Sequence, residues 1–355
     1  LSEEKARISG SEHDVYKALI HKAWAFRLLG RLSDADRLLD DVLRLYAASG
    51  SKDVWDKAKI LRYKADTLRL LHTEAALSEA ERLYNEALSI FFPDYDVSED
   101  PPAGARLQVG SIYLGLAKIA LKRRDYGMAE KYLNRALSVH MPQGEAYGVA
   151  HILRDRGELM LLAGRYGDAI AFLNSAREIF SSLHNAYYET LTLCSIAEVY
   201  LVQGSYERVR EYARQVEQIA SSLSRTRMPT QLVGILKEGQ SVLELHNQLA
   251  RAHALTARAY LREGKIRAAI SHFIQACEHS AKFNEITLGS MLSLIDEDLQ
   301  MIERKGEMRM ARAICDAIIS YLAELGAKAD TLDKTWIDRW TVKFDHRFSS
   351  VRIKL

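Results

Sequence analysis

The chain has 355 residues and carries 49 Lys and Arg against 47 Asp and Glu, a formal net charge of +2. That balance excludes the one-signed field of a nucleic-acid coat or an acidic tail. A hydrophobic fraction of 48% beside 27% charged residues excludes overall disorder. At roughly 150 residues per domain the length suggests two domains, unless the chain is a repeat array that grows without a single core.

Five prolines in the whole chain permit long helices, because proline removes an amide donor and clashes inside a helix. The N-terminus, Leu1-Ser2-Glu3-Glu4-Lys5, lacks the apolar core of a signal peptide, and no stretch approaches the ~18 apolar residues of a membrane span. Its lack of an initiating Met predicts that the chain is a fragment or a trimmed form of something longer. Cys194, Cys277 and Cys315 are far apart and form no CxxC or Cys/His spacing. Neither a disulfide framework nor a zinc site is therefore expected, and the expected location is cytoplasmic and reducing, without a membrane.

After an N-terminal segment of residues 1–12, one short frame recurs along the chain. It begins as Gly30-Arg31-Leu32-Ser33-Asp34-Ala35, weakens over Ala75 to Ala80 with Leu77 at the apolar position, and varies at Arg124-Asp125-Tyr126-Gly127-Met128-Ala129. It returns as Gly164-Arg165-Tyr166-Gly167-Asp168-Ala169, Gly204-Ser205-Tyr206-Glu207-Arg208-Val209, Gly264-Lys265-Ile266-Arg267-Ala268-Ala269 and Gly306-Glu307-Met308-Arg309-Met310-Ala311. A small residue stands upstream of most copies: Ala23, Ala65, Ala117, Gly157, Ala197 and Ala257. The frame predicts a helical hairpin. The small residue lets the first helix approach the second, Gly supplies the left-handed turn, and the closing Ala allows a close crossing. A lone hairpin leaves apolar surface uncovered, and stacking hairpins buries it.

Three segments interrupt the period. Residues 91–105 hold three of the five prolines and read as an exposed loop. Asp94, Asp96, Ser98 and Asp100 imitate the start of a calcium loop, but Glu99 and Ala105 stand where its turn Gly and bidentate Glu belong, which argues against calcium. Residues 222–246 add about twenty residues between the fifth and sixth hairpins and read as lengthened helices plus a loop. In the C-terminal segment, 326–355, Trp336, Trp340, Phe344 and Phe348 recur every four residues beside Lys334, Arg339, Lys343 and Arg347. That pattern reads as an amphipathic capping helix over the last repeat, with a partner or oligomer surface as the alternative. Val351, Ile353 and Leu355 alternate with polar residues as a strand does.

Together these copies resemble the tetratricopeptide repeat family, over about residues 13–325. The resemblance implies an all-α, right-handed superhelical solenoid of about seven hairpins with a C-terminal capping helix. The family's unit is 34 residues, whereas the closing positions here step by 45, 49, 40, 40, 60 and 42. Such long units are similar to those of bacterial peptide-signal receptors, kinesin-light-chain-type adaptors and the sensor arrays of large signal-transduction ATPases.

No phosphate loop, GxGxxG, HExxH or GxSxG elbow occurs, so no catalysis, cofactor or metal is expected. His246 and His253 lie two helical turns apart, and His279 follows Glu278, without a converging third ligand. Tyr16, Tyr63 and Tyr113 are candidates for stacking bases, but helical spacing and the small net charge favour packing over nucleic acid.

What remains is the groove that the resemblance implies, lined by residues two before, one after, five after and eight after the large fourth position of each first helix. Those fourth positions are Leu19, Leu61, Tyr113, Leu153, Leu193, His253 and Ile295. The spacing selects Lys17, Trp24 and Arg27; Lys59, Arg62, Asp66 and Arg69; Lys118; His151, Arg154 and Glu158; Glu198; Arg251 and Arg258; Asp296, Gln300 and Glu303. Its basic residues gather in the first two hairpins. The expected partner is a protein or peptide with an acidic or carboxylate end at Arg62 and Arg69, its basic end toward Asp296 and Glu303, and Trp24 as an anchor. Pairing of Arg62 with Asp66 at i+4 is the competing reading. The chaperone-type carboxylate clamp is not implied, because none of Trp24, Asp66, Lys118, Glu158, Glu198 or Arg258 is the Asn that clamp uses. The expected function is a non-catalytic binding scaffold. The alternative is the effector-sensing part of a larger signal-transduction ATPase or transcriptional regulator.

Overall fold

A computed structural model describes residues 12–28, 30–49, 54–71, 73–92, 101, 104–140, 145–225, 238–283, 285–328 and 334–349. Among the described residues there are fifteen α-helices and no strand. They fall into two compact units, Leu1–His184 and Asn185–Leu355.

The first unit is four hairpins: α1 (Glu12–Leu28) with α2 (Leu32–Ser49), α3 (Val54–Leu68) with α4 (Glu74–Phe91), α5 (Arg106–Lys122) with α6 (Tyr126–His140), and α7 (Ala146–Leu162) with α8 (Tyr166–Ser182). The second unit is α9 (Ala186–Val202) with α10 (Tyr206–Arg225), α11 (Glu238–Arg262) with α12 (Ile266–Phe283), and α13 (Glu285–Arg304) with α14 (Met308–Lys328), followed by α15 (Lys334–Ser349). Within each unit a helix packs on its sequence neighbours, and first helices touch first helices of adjacent hairpins. This is the all-α repeat solenoid expected from the frame.

The recurring turn explains the frame's chemistry. After α1, Arg31 N donates to Phe26 O at 2.8 Å and Gly30 N to Arg27 O at 3.0 Å, a Schellman closure with Gly30 at φ 72°. The same pair of bonds closes α5, α7, α9, α11 and α13. At the variant copy Arg124 adopts the left-handed conformation itself, at φ 60°. The second hairpin departs most from the frame: α3 ends in a 3₁₀ turn, Arg69–Leu71, and α4 starts on Thr73, whose side chain accepts from Ala76 N at 3.3 Å. The closing positions Ala35, Ala80, Ala129, Ala169, Val209, Ala269 and Ala311 are all fully buried. A Cβ at Gly157 would stand 2.5 Å from Leu173 Cγ, which is why that crossing needs the smallest residue.

The interruptions resolve in part. Phe91, Phe92, Pro101 and Ala105 are buried, so the ends of the 91–105 segment are packed, which corrects the expectation of a wholly exposed loop. The apolar side chains at both ends are tucked into unit 1, with Trp55 edge-on to Phe91 at 6.1 Å. The calcium-like positions 94–100 lie outside the described residues, as do Val351, Ile353 and Leu355. Of the 222–246 segment, α10 runs to Arg225 and α11 begins at Glu238, so much of the added length is helix. In α15, Ile337 and Phe344 enter the core made by α11 to α14, and Lys343 sits 4.5 Å over the Trp340 ring. The side chains of Trp336, Arg347 and Phe348 lie outside the described residues. Cys194, Cys277 and Cys315 are free and buried, and burial pushes the Cys194 thiol up to about 12. Among the described residues no helix is long and apolar enough to cross a membrane.

Candidate functional site

The charged side chains of unit 1 that the spacing selects stand on the first helices of its hairpins. Arg27 is on α1, Arg62 and Asp66 on α3, Arg69 on the 3₁₀ turn, Lys118 on α5, and His151, Arg154 and Glu158 on α7. Because α1, α3, α5 and α7 lie side by side, their charges form one continuous set.

Asp66 is its centre. Arg62 Nη1 reaches Asp66 Oδ2 at 2.8 Å, and the Tyr84 hydroxyl donates to Asp66 Oδ1 at 2.5 Å. Arg62 Nε also donates to Gln108 Oε1 at 2.7 Å, and its guanidinium lies 4.0 Å over the Tyr63 ring. The bridge at i+4 foreseen as the competing reading is thus present. Gly115 makes the Tyr84 contact sterically feasible, since a Cβ there would collide with the end of the Tyr84 ring. Burial alone would push the Asp66 carboxyl up, but Arg62, Arg27 and Arg69, with the Tyr84 hydroxyl, outweigh it and hold it below the usual carboxylate range. A second centre lies at Asp155, wholly buried, with Arg154 Nη2 at 2.7 Å and Lys118 Nζ at 3.5 Å.

Arg27, Arg62, Arg69, Lys118 and Arg154 outnumber Asp66, Asp155 and Glu158 in this set. Burial, more than any neighbour, pushes the Arg27 and Lys118 cations down from their ordinary values, in Lys118 against the attraction of Asp155. His151 is driven to about 3 by burial and then by Arg154 and Lys118, so it stays neutral. The Nε atoms of Arg27 and Arg69 are buried with no acceptor among the described residues. A set of this kind favours an incoming anion, which supplies both the missing charge and the missing acceptors.

Lys17 and Lys59 are brought together elsewhere, around a cavity of about 230 Å³ lined also by Tyr16, Ile20, His21, Asp56, Ile60 and Tyr63. Trp24 on α1 is exposed. Tyr16 and Tyr113 are buried, the first bonded to Ser49 Oγ at 2.8 Å and the second stacked on Tyr132, so they serve packing and not base stacking.

In unit 2 selected residues are already engaged within the unit, Arg258 with Asp298, which the spacing does not select. Glu198 is bonded to Arg251 at 2.6 Å and Arg258 to Asp298 at 3.1 Å. Asp296 accepts from Gln300 at 3.3 Å and has Lys343 of α15 at 3.2 Å. The acidic end expected at Asp296 therefore already has an internal counter-ion. Tyr84, Gln108 and Asp155 were outside the spacing rule, and they complete the site of unit 1.

The fold defines a class, the stacked-hairpin helical repeat proteins. Residues 108–182, covering α5 to α8, match the tetratricopeptide repeat family model. No curated protein sequence matches it. Among solved structures, the apo form of RapI is similar at TM-score 0.53 and 12% identity, over 95% of this chain and 87% of that one. NprR in complex with its cognate peptide NprX is similar at TM-score 0.51 and 14% identity, over 96% of this chain and 85% of that one. BtubC from P. vanneervenii reaches TM-score 0.48 at 17% identity, over 73% and 92%. Identities this low establish the fold alone.

Proposed function

We propose that this chain is a non-catalytic protein- or peptide-binding scaffold, and that unit 1 takes an acidic or carboxylate-terminated segment on the face of Arg27, Arg62, Arg69, Lys118 and Arg154. The observation that carries the reading is the surplus of cations there, with buried guanidinium Nε atoms of Arg27 and Arg69 that have no acceptor among the described residues. Arginine suits the task because its planar fork meets a carboxylate with two parallel bonds. Exposed Trp24 on the same helix as Arg27 supplies a rigid aromatic anchor. The buried tyrosines favour a protein or peptide over nucleic acid. The buried, free cysteines fit a reducing, cytoplasmic location. Engagement of Ile337 and Phe344 in the core supports a capping role for α15, which leaves Arg339 and Val342 on its outer face for any self-association.

The test uses fluorescent peptides and anisotropy on the full chain: one acidic with a free C-terminal carboxylate, the same peptide amidated, and a basic one. Arg62 is unsuitable for substitution because it holds Asp66, so the variant is Arg27→Gln with Lys118→Gln. The acidic peptide should bind best and lose at least tenfold in the variant, about the worth of one charge-assisted bond. Equal affinity for all three peptides, or for parent and variant of matched helicity, refutes the assignment. A second reading makes the same face the effector sensor of a larger ATPase or transcriptional regulator. It is supported by the shared fold of NprR, which was solved with a peptide bound. Peptide-dependent change in hydrogen exchange beyond unit 1 distinguishes sensor from passive scaffold.

A further inference from the structure

Unit 2 carries four histidines that neither the repeat frame nor the proposed binding face uses. His246 and His253 lie two turns apart on α11, and His272 and His279 two turns apart on α12. Antiparallel packing of the hairpin sets His246 Nδ1 2.9 Å from His279 Nδ1, and His253 Nδ1 3.2 Å from His272 Nδ1. The rings form a continuous column. His246 stacks on His279 with centroids 5.2 Å apart, His279 on His253 at 5.4 Å and 9° between planes, His253 against His272 at 5.4 Å, and His272 on Tyr260 at 5.5 Å. Beside the column, Glu217 of α10 places Oε1 3.5 Å from His253 Nδ1; its side chain is 38% exposed where that of His253 is 8% exposed.

Two ring nitrogens turned toward each other at this distance share one proton when both rings are neutral. The same distance is an edge of a metal coordination shell. With metal–nitrogen bonds of about 2.0–2.1 Å, two ligands at roughly 90–110° stand about 2.9–3.4 Å apart. Metal binding also requires imidazoles without the extra proton. Burial, before any neighbouring charge, pushes all four histidines below their ordinary value, to about 4 for His253 and His279. Burial likewise pushes the Glu217 carboxyl up, against Arg214, so a dication beside it relieves an existing cost. The other cation felt by the column is Lys282, at the His246 and His279 end.

We propose that His253, His272 and Glu217 form a binding site for a borderline divalent transition-metal ion such as zinc, with water completing the shell. The His246/His279 pair stands behind it, and stacking of His279 on His253 fixes the ring plane. Among the described residues no three such side chains surround one point as they stand. Two nitrogens are already at ligand spacing, and the third ligand arrives by rotation of the partly exposed Glu217 side chain. Imidazole with carboxylate selects zinc, nickel or copper over magnesium or calcium.

The test uses the full chain, freed of any affinity tag and of metal by chelator, with Co²⁺ as the spectroscopic probe and Zn²⁺ in calorimetry at pH 7.5. The expected result is about one ion per chain, with visible Co²⁺ bands that Zn²⁺ displaces. His272→Asn should weaken binding more than tenfold, Glu217→Gln should weaken it and alter the Co²⁺ spectrum, and His246→Asn should keep the stoichiometry. Absence of binding, or binding that His272→Asn leaves unchanged, overturns the proposal. Should His272→Asn lose its helicity, Glu217→Gln decides, because an unchanged spectrum and affinity in that variant, altered at a partly exposed side chain, equally overturns it.

Discussion

Replacing Tyr84 with Phe removes one hydroxyl from the centre of the unit 1 site. The ring is wholly buried and stays in place, so no cavity forms and no apolar contact is lost. What disappears is the 2.5 Å bond to the Asp66 carboxylate, together with the bond that the hydroxyl oxygen accepts from Arg69. A bond to a buried charged acceptor is worth about 1.5–3 kcal/mol, and the expected destabilisation is about 2 kcal/mol. Stacked repeats need not unfold in one step, so the loss is best read as reduced hydrogen-exchange protection in α3 and α4 beside the urea midpoint. Acid titration gives a second measure. The folded Asp66 carboxyl is held below its unfolded value, so its contribution is complete above the unfolded value and is lost as pH falls through the folded one. Without the Tyr84 hydroxyl the folded value rises, and acid unfolding of unit 1 should begin at higher pH. A change below about 0.5 kcal/mol with an unmoved acid midpoint would show that Asp66 does not depend on Tyr84.

Two further expectations test the turns and the histidine column. Arg124 occupies a left-handed turn position where five copies of the frame place Gly; Arg124→Gly should therefore raise stability by about 1 kcal/mol, and a lower urea midpoint would contradict the strain argument. His253 and His279 are held near 4, below the ordinary 6.5. The unfolded chain takes up their protons first, so unit 2 should keep its stability above about pH 6.5 and lose it progressively between there and about 4; exchange protection of α11 and α12 that stays flat over that range would contradict the assigned burial.

The repeat was legible because its chemistry is local. A left-handed Gly, a closing Ala and a small upstream residue each answer to a steric requirement within one hairpin, so Gly164, Ala169 and Gly157 announce a hairpin without reference to the rest of the chain. The second hairpin was weakest in sequence, and it is the one built on a 3₁₀ turn and the Thr73 cap instead. Site residues on first helices were legible through the same register, which put Arg27, Arg62, Asp66, Arg69, Lys118 and Arg154 on one face. Tyr84 was not, because a buried tyrosine on a second helix has the spacing of a packing residue, and only the contact shows its hydroxyl turned to Asp66. Asp155 escaped for a related reason: it sits one residue from Arg154, off the selected positions, and is wholly buried. The histidine column lay in plain view as two seven-residue intervals, 246 to 253 and 272 to 279. Recognising it required folding the hairpin about Gly264, which brings each residue of one interval opposite one of the other.

The notch at Gly115 ties two distant positions into a single choice. Any side chain at 115 evicts the phenol at 84, and eviction takes the hydroxyl from a buried aspartate and leaves it to its arginines. A larger residue at 115 therefore calls for a smaller one at 84, so lineages of this sequence should exchange bulk at one for bulk at the other. The affected boundary is that between the second and third repeats.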